Sequence, residues 1–386
     1  MAVPAFFRMQ LLDNRYPALH GARAIAVVMV LQLHASNLLV LHFHQPDRPL
    51  YYLSRQAWFG MDIFFLLSGF LIGTMLTHGD ALSSARGIGR FYLRRAFRIF
   101  PSYYLVLTGL ALMPWTTPVQ RSTLAWEYIY GTNYIVFHHR QLIMPWGWSL
   151  CVEEHFYLVV PLILLLLRRL ASTPKRLGVL LGIWMIGGGI RILDGLIHWN
   201  PKDPDGIFLR LFVRTHDRFD ILVVGVAIAL LLREHRASFE AALARRWIRT
   251  VLGLVGLVGL WLCVSPPRVL ARVPTLTESL CWGTFSSLLC GALLPLLLAG
   301  DGGFKRALSA PWFRPISTLS YGIYLIHIPI GEKLAVPAAL ALQTTPGWTW
   351  LLSVFFLWFF SLSGAYLLHL LVEKPMLKLR ARVTSG

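Results

Sequence analysis

Residues 19–43 read LHGARAIAVVMVLQLHASNLLVLHF, an apolar run interrupted by Arg23 and His34. The run is long enough to cross a bilayer as a helix, which takes about 20 apolar residues. Arg23 and His34 are eleven positions apart, and eleven steps of 100° make three turns plus about 20°, so both side chains lie on nearly one face. Groups of this kind are costly in lipid and are usually kept where they face a polar cavity and act there. The competing reading is that Arg23 snorkels to the headgroups and His34 hydrogen-bonds a neighbouring helix.

The rest of the chain has the same character. Its 386 residues are 56% hydrophobic, 13% aromatic and only 14% charged, with a mean hydropathy of +0.59, which is too apolar for a soluble domain. The net charge of +18 would suggest nucleic acid in a soluble protein. Here the basic residues cluster between apolar runs, which is the signature of membrane topology, so no nucleic-acid partner is expected. The lead with Arg8 and Arg15 runs straight into the first span, which is expected to serve as its own targeting signal. Cys151, Cys263, Cys281 and Cys290 form no CxxC pair and fall in or beside apolar runs, arguing neither for disulfides nor for zinc.

Hydropathy predicts an all-α polytopic membrane protein of about ten transmembrane helices. They lie near residues 19–42, 56–77, 100–118, 149–167, 177–197, 218–232, 247–264, 279–299, 315–331 and 348–371. With the N-terminus in the cytoplasm, every second loop is basic. Arg86, Arg90, Arg94, Arg95 and Arg98 fall inside, followed by Arg168, Arg169, Lys175 and Arg176, then by Arg233, Arg236, Arg245, Arg246 and Arg249. Lys305, Arg306 and Arg314 and the tail residues Lys374, Lys378, Arg380 and Arg382 continue the alternation, so both termini are expected to be cytoplasmic. No linker, repeat or soluble insert interrupts the pattern, and residues 1–386 are read as a single membrane domain. On this topology Arg23 lies near the cytoplasmic end of the first span and His34 about 16 Å further along.

Three more segments concentrate polar chemistry. In WSLCVEEHFYL, residues 148–158, Glu153, Glu154 and His155 open a span; the structural alternative is a helix N-terminus capped by Ser149. In FGMDIFFLLSGFLI, residues 59–72, Asp62 opens the second span, and Ser68, Gly69 and Gly73 permit close helix approach. In FYLRRAFRIFPSYYL, residues 91–105, either Arg94 with Arg98 or Arg95 with Arg98 shares a face able to clamp phosphate, although an ordinary basic collar also suffices.

Together with RTHDRFDILVVG, STLSYGIYLIHIPI and YLLHLLVEKPML, these segments resemble the acyltransferase 3 family of integral membrane O-acyltransferases, in order and spacing, from Leu19 to about Lys378. The resemblance implies a ten-helix core that takes an acyl group, commonly acetyl, from cytosolic acyl-CoA and passes it to a hydroxyl, most often on a surface glycan. Family roles carry over to Arg23, His34, Arg95, Arg98 and Glu153. The chain departs from the family where His155 replaces a usual glutamine and Cys151 a small polar residue. It is expected to be the stand-alone form, without the esterase-like domain of some relatives.

The expected division of labour follows. Arg23, Arg94, Arg95 and Arg98 hold the donor's phosphates, and His34 acts as general base, oriented by Glu153 or Asp62. Trp148, Glu154, His155 and His327 face a carbohydrate or lipid-linked glycan acceptor; for His327 an interhelical hydrogen bond is the competing reading. No GxSxG elbow and no cysteine in a basic setting is present, which favours direct transfer. No resident cofactor is expected, only acyl-CoA as donor substrate, and the protein is placed in the cytoplasmic (inner) membrane. His42, His44, His138 and His139 have metal-ligand chemistry but no framing motif, so no metal site is expected. Asp217 and Asp220 are read as pairing along their own helix with Arg214 and Arg218, and Glu373–Lys374 before Pro375 as a helix terminus. The tryptophans are read as interfacial belts, with Trp146 and Trp148 doubling as a sugar platform. The rival functions are a transporter or flippase using the same polar residues, a non-catalytic scaffold, and an acyltransferase acting on a small secreted product such as a macrolide.

Overall fold

Lipid as solvent leaves the backbone only itself for hydrogen bonding, which selects helices. The computed structural model describes residues 7–43, 56–78, 81–135, 141–264, 276–300 and 302–384, and among these there is no strand. The protein is an all-α polytopic membrane protein. The long helices are α1 (Pro17–Phe43), α2 (Gly60–Thr77), α3 (Ala85–Leu112), α4 (Trp148–Arg168), α5 (Thr173–His198), the shorter α6 (Pro204–Val213), α7 (Thr215–Glu234), α8 (Arg246–Val264), α9 (Leu276–Leu298), α10 (Phe313–Ile330) and α11 (Pro346–Leu368). Among the described residues, seven helical stretches are long and apolar enough to cross a membrane unaided, on α1, α2, α4, α5, α9, α10 and α11. The other three expected spans fall on α3, α7 and α8.

Three boundaries differ from the sequence reading, for physical reasons. Helix α3 begins at Ala85 rather than near residue 100, because Ser84 caps it by accepting from the Gly87 amide at 3.1 Å. The arginines from Arg86 to Arg98 therefore ride on a helix instead of lying in a loop. Glu373–Lys374 is no terminus either: α11 runs through a π turn, His369–Glu373, into a further helix, Lys374–Thr384. Helix α10 does the same, through a π turn at Gly331–Ala335 into Val336–Ala341. In both cases a proline, Pro375 or Pro337, stands two residues after the π turn. A proline lacks the N–H for its fourth preceding carbonyl and clashes with it; that carbonyl, on Leu371 or Lys333, lies within the widened turn, which lets the helix continue.

The chain forms two compact units. The first comprises residues 1–61, 92–109 and 303–386, and the second residues 62–91 and 110–302. In the first unit α1 packs against α10 and α11, and the Trp350 indole N–H donates to Ser36 Oγ at 3.1 Å. In the second unit α2 crosses α7 at glycine. A Cβ on Gly69 would stand 2.0 Å from the Leu222 carbonyl oxygen, and one on Gly225 would stand 2.3 Å from that of Leu66. Backbone meets backbone there, as the SGF motif predicts, because dispersion at close approach holds helices together where no water is expelled.

Candidate active site

In the first unit, the polar stripe of α1 begins at His20, whose Nδ1 meets Ser317 Oγ and whose Nε2 meets the Asp13 carbonyl, both at 3.1 Å. The carbonyl can only accept, so His20 carries its proton on Nε2 and accepts from Ser317. One turn on is Arg23, half-buried. The electrostatic neighbours of Arg98 on α3 are Arg23, Glu373, Arg95 and Arg380. The structure thus brings Arg23 and Arg95 near Arg98 and adds Arg380 of the basic tail. Arg94 is exposed, with Arg380 as its neighbour. Several guanidiniums crowd one carboxylate here, and such a surplus of positive potential attracts a polyanion.

That carboxylate is held on one oxygen by an imidazole that is itself bonded on both nitrogens. Gln10 N–H donates to His369 Nε2 at 3.2 Å, so the imidazole proton sits on Nδ1, from which it is donated to Glu373 Oε2 at 2.8 Å. Both residues belong to the π turn of α11, and four positions apart they stand on the same side of the helix.

Further along α1, the His34 and His327 rings lie with centroids 4.9 Å apart and planes tilted by 55°. His327, fully buried, donates its Nδ1 proton to the Tyr324 carbonyl at 2.7 Å, which leaves Nε2 as the acceptor side of a neutral ring. The Arg23 and His34 positions therefore do face polar neighbours, and His327 joins them from α10.

The second unit holds the other predicted residues. Asp62, fully buried, pairs with Arg218 on α7. The Arg218 guanidinium lies 4.3 Å from the Trp282 ring, 4.7 Å from Phe212, 5.2 Å from Phe65 and 6.0 Å from Trp148. Trp148 is thus one wall of an aromatic box around a buried cation. Trp146 is also buried, at 7% exposure, and belongs to no interfacial belt. Asp220 pairs with Arg191 of α5 at 2.9 Å, and Arg191 also donates to the Asp217 carbonyl at 2.7 Å. The pairing along one helix expected for Arg218 and Asp220 is replaced by pairing across helices, which buries each charge against a partner. Arg191 and Trp282 escaped the sequence reading because neither neighbours its partners in the chain.

Glu153 accepts from the Tyr157 hydroxyl one turn along α4, and that hydroxyl also meets Ser68 of α2. Glu154 is half-buried on the same helix. His155 Nδ1 meets Thr215 Oγ1 at 2.7 Å, and Asn133 Nδ2 donates to the same hydroxyl at 2.8 Å. Ser149 is not a cap: α4 starts at Trp148 behind Gly147, without a side-chain cap bond, and the acids fall in its second turn.

One carboxylate went unnoticed. Glu127, fully buried on a short helix, Leu124–Tyr128, accepts from the Ile143 and Met144 amides at 2.9 and 2.8 Å and from Thr123 Oγ1 at 3.0 Å. Burial raises its pKa above the usual carboxylate range, against the pull of these donors. It ties down the strand of loop that enters α4. Asp194, His216 and Asp217 offer three ligand-type atoms within 4.8 Å of one another. The Asp194 oxygens, however, already accept from Arg210 at 2.9 and 3.0 Å, with His198 at 3.1 Å and Arg214 at 3.8 Å. Cations on this scale suit an ion-pair network and repel a divalent metal. His44, His138 and His139 and the side chain of His42 lie outside the described residues.

Comparison with known proteins supplies a family. The model of the acyltransferase domain of the acyltransferase 3 family matches residues 16–370. The peptidoglycan O-acetyltransferase of Listeria monocytogenes is 25% identical over 338 residues, covering 81% of this chain and 49% of that protein. A candidate peptidoglycan O-acetyltransferase of Bacillus subtilis is 25% identical over 339 residues, 82% of this chain and 49% of its own length. A candidate O-acetyltransferase of Staphylococcus aureus is 26% identical over 234 residues, 56% of this chain and 34% of its own. The chain spans about half the length, or less, of these curated relatives. No solved structure gives a significant match.

Proposed function

Because the chain belongs to the acyltransferase 3 family, we propose that it is a membrane O-acyltransferase, moving an acetyl or similar acyl group from acyl-CoA to a hydroxyl of a cell-wall glycan or its lipid-linked precursor. The observation that carries this reading lies in the first unit: an arginine cluster at one end of the polar stripe of α1, and an imidazole pair further along the same stripe. The relatives' names favour a peptidoglycan-type acceptor. A cytosolic donor places the protein in the cytoplasmic membrane.

On this proposal Arg23, Arg95, Arg98 and Arg94 take the phosphates of CoA, a task for which planar guanidinium groups are well shaped. His34 takes the proton of the acceptor hydroxyl as its oxygen attacks the thioester carbon. The C–S bond then breaks, the acyl group becomes an ester, and His34 returns the proton to the CoA thiolate. His327 serves as a positioning residue. With its Nδ1 proton committed to Tyr324, its ring packs against that of His34 with centroids 4.9 Å apart, and on this proposal that contact sets the orientation of the His34 ring. Glu153, Glu154, His155 and Trp148 are proposed for the acceptor side. Asp62 is committed to Arg218, and the proton transfer is assigned without it.

The test is purified full-length protein in detergent with radiolabelled acetyl-CoA and muropeptide or lipid-linked acceptors, following ester label gained and thiol released. His34→Ala is expected to abolish transfer while the protein still elutes as a folded species. Transfer surviving in His34→Ala sinks the mechanism, and acceptor movement without acyl-CoA restores the transporter reading.

A further inference from the structure

Away from the α1 stripe, the second unit contains a cavity of about 300 Å³ where α2, α4 and α7 end and α5 begins. Ligand pockets start at about this size. Five leucines line it, among them Leu164 and Leu230, at 2% and 4% exposure. Its polar lining is Arg168, Arg176, Arg233 and Glu234, with Thr77. Every one of these arginines stands on the face that the loop charges assign to the cytoplasm.

The acid does not cancel the bases. Glu234 is paired with Arg176, and the Thr173 hydroxyl donates to its other oxygen at 2.6 Å. Arg176 also holds the Leu170 carbonyl, through Nε at 3.1 Å and Nη2 at 2.9 Å. After that pair is set aside, Arg168 and Arg233 leave two positive charges at the mouth. Arg168 is steadied by one donated bond to the Leu82 carbonyl at 2.8 Å, a small part of the five donors a guanidinium carries. A small hydrated anion gains nothing from the leucine lining, and a hydrocarbon gains nothing from the guanidiniums. A phosphate ester with an apolar body satisfies both.

We propose that this cavity binds a phosphate mono- or diester. The leucine lining favours the headgroup of a membrane lipid over a water-soluble phosphate. The proposal does not depend on acyl transfer and is read by binding alone.

The experiment is native mass spectrometry of the full-length protein in neutral detergent, titrated with phosphatidic acid or with diacylglycerol, which has the same chains and no phosphate. Phosphatidic acid is expected to be retained saturably and diacylglycerol not. The double variant Arg168→Ala/Arg233→Ala is expected to weaken retention at least tenfold, whereas Arg245→Ala/Arg246→Ala, removing two exposed charges elsewhere, leaves it unchanged. Arg233→Glu leaves the Arg168–Leu82 bond in place and reads the same loss if the double variant fails to fold. Competition by glycerol 3-phosphate at equal concentration would assign the site to soluble phosphates, and its absence to lipid. Equal retention of diacylglycerol, or an equal loss in the Arg245/Arg246 variant, overturns the proposal.

Discussion

The most discriminating perturbation is a double-mutant cycle on Asp62 and Arg218. Asp62 is 0% exposed and Arg218 1%, and the pair sits inside the box that Trp282, Phe212, Phe65 and Trp148 build around the guanidinium. Asp62→Ala leaves a buried cation with its ring contacts but without its anion, and breaking such a pair costs about 3–5 kcal/mol. Arg218→Met leaves a buried carboxylate and also forfeits the ring contacts, about 0.5–2 kcal/mol more. Asp62→Leu/Arg218→Met removes both charges and fills the space, and so is expected to lie closer to wild type than either single variant. At roughly 2–4 °C per kcal/mol, the single variants should fall by on the order of 10 °C in heat-stepped, fluorescence-detected size-exclusion chromatography. The cycle also separates structure from chemistry. If Asp62 only balances Arg218, the double variant recovers acetyl transfer along with stability. A double variant that is less stable than both singles would refute the pairing argument, and one that is stable but inactive would return Asp62 to the reaction.

Three further outcomes follow from the geometry. His327→Ala should lower the transfer rate by about 10²-fold or more while leaving donor KM unchanged, since general-base catalysis is worth about 10²–10⁴; an effect on KM alone would mean that His327 only packs. Gly69→Val should prevent folding or cost several kcal/mol, because its Cβ would stand 2.0 Å from the Leu222 carbonyl oxygen; a stable, active variant would show that α2 and α7 do not meet there. Glu127→Gln should cost about 1–3 kcal/mol, because the amide NH2 would face one of the two backbone donors, at Ile143 or Met144. Its pH signature has a definite sign. Burial raises the folded pKa, so between the ordinary carboxylate range and that raised value the folded state binds more protons, and wild-type stability declines as pH rises through the window. Thermal midpoints of Glu127→Gln across the same window should lack that decline.

The parts of this protein that the sequence displays are those governed by one helix at a time. Hydropathy placed a long helix at each expected span, and the eleven-residue interval placed Arg23 and His34 on one face. What it hid are choices made between helices. Two phases of the α3 arginines are equally good locally, and only the fold shows which groups, Arg23, Arg95, Arg380 and Glu373, surround Arg98. Glu127 was invisible because its partners are backbone amides, which carry no sequence signature. The partner of Arg218 is hidden in the sequence because charges three or four apart on one helix are natural local partners, whereas Asp62 stands on another helix. Yet a tertiary signal was present. Asp62 lies seven residues before Gly69, and Arg218 seven before Gly225. The two glycines are the crossing point of α2 and α7, and seven residues are two turns of helix. Helices that run the same way from a shared contact bring residues at equal distances from it to the same level. An acid and a base at equal spacing from two contact glycines therefore specify each other, and the ion pair fixes the register in which the glycines meet. Sliding either helix by a turn would bury both charges alone, so the costly pair and the small-residue crossing enforce a single alignment of α2 and α7.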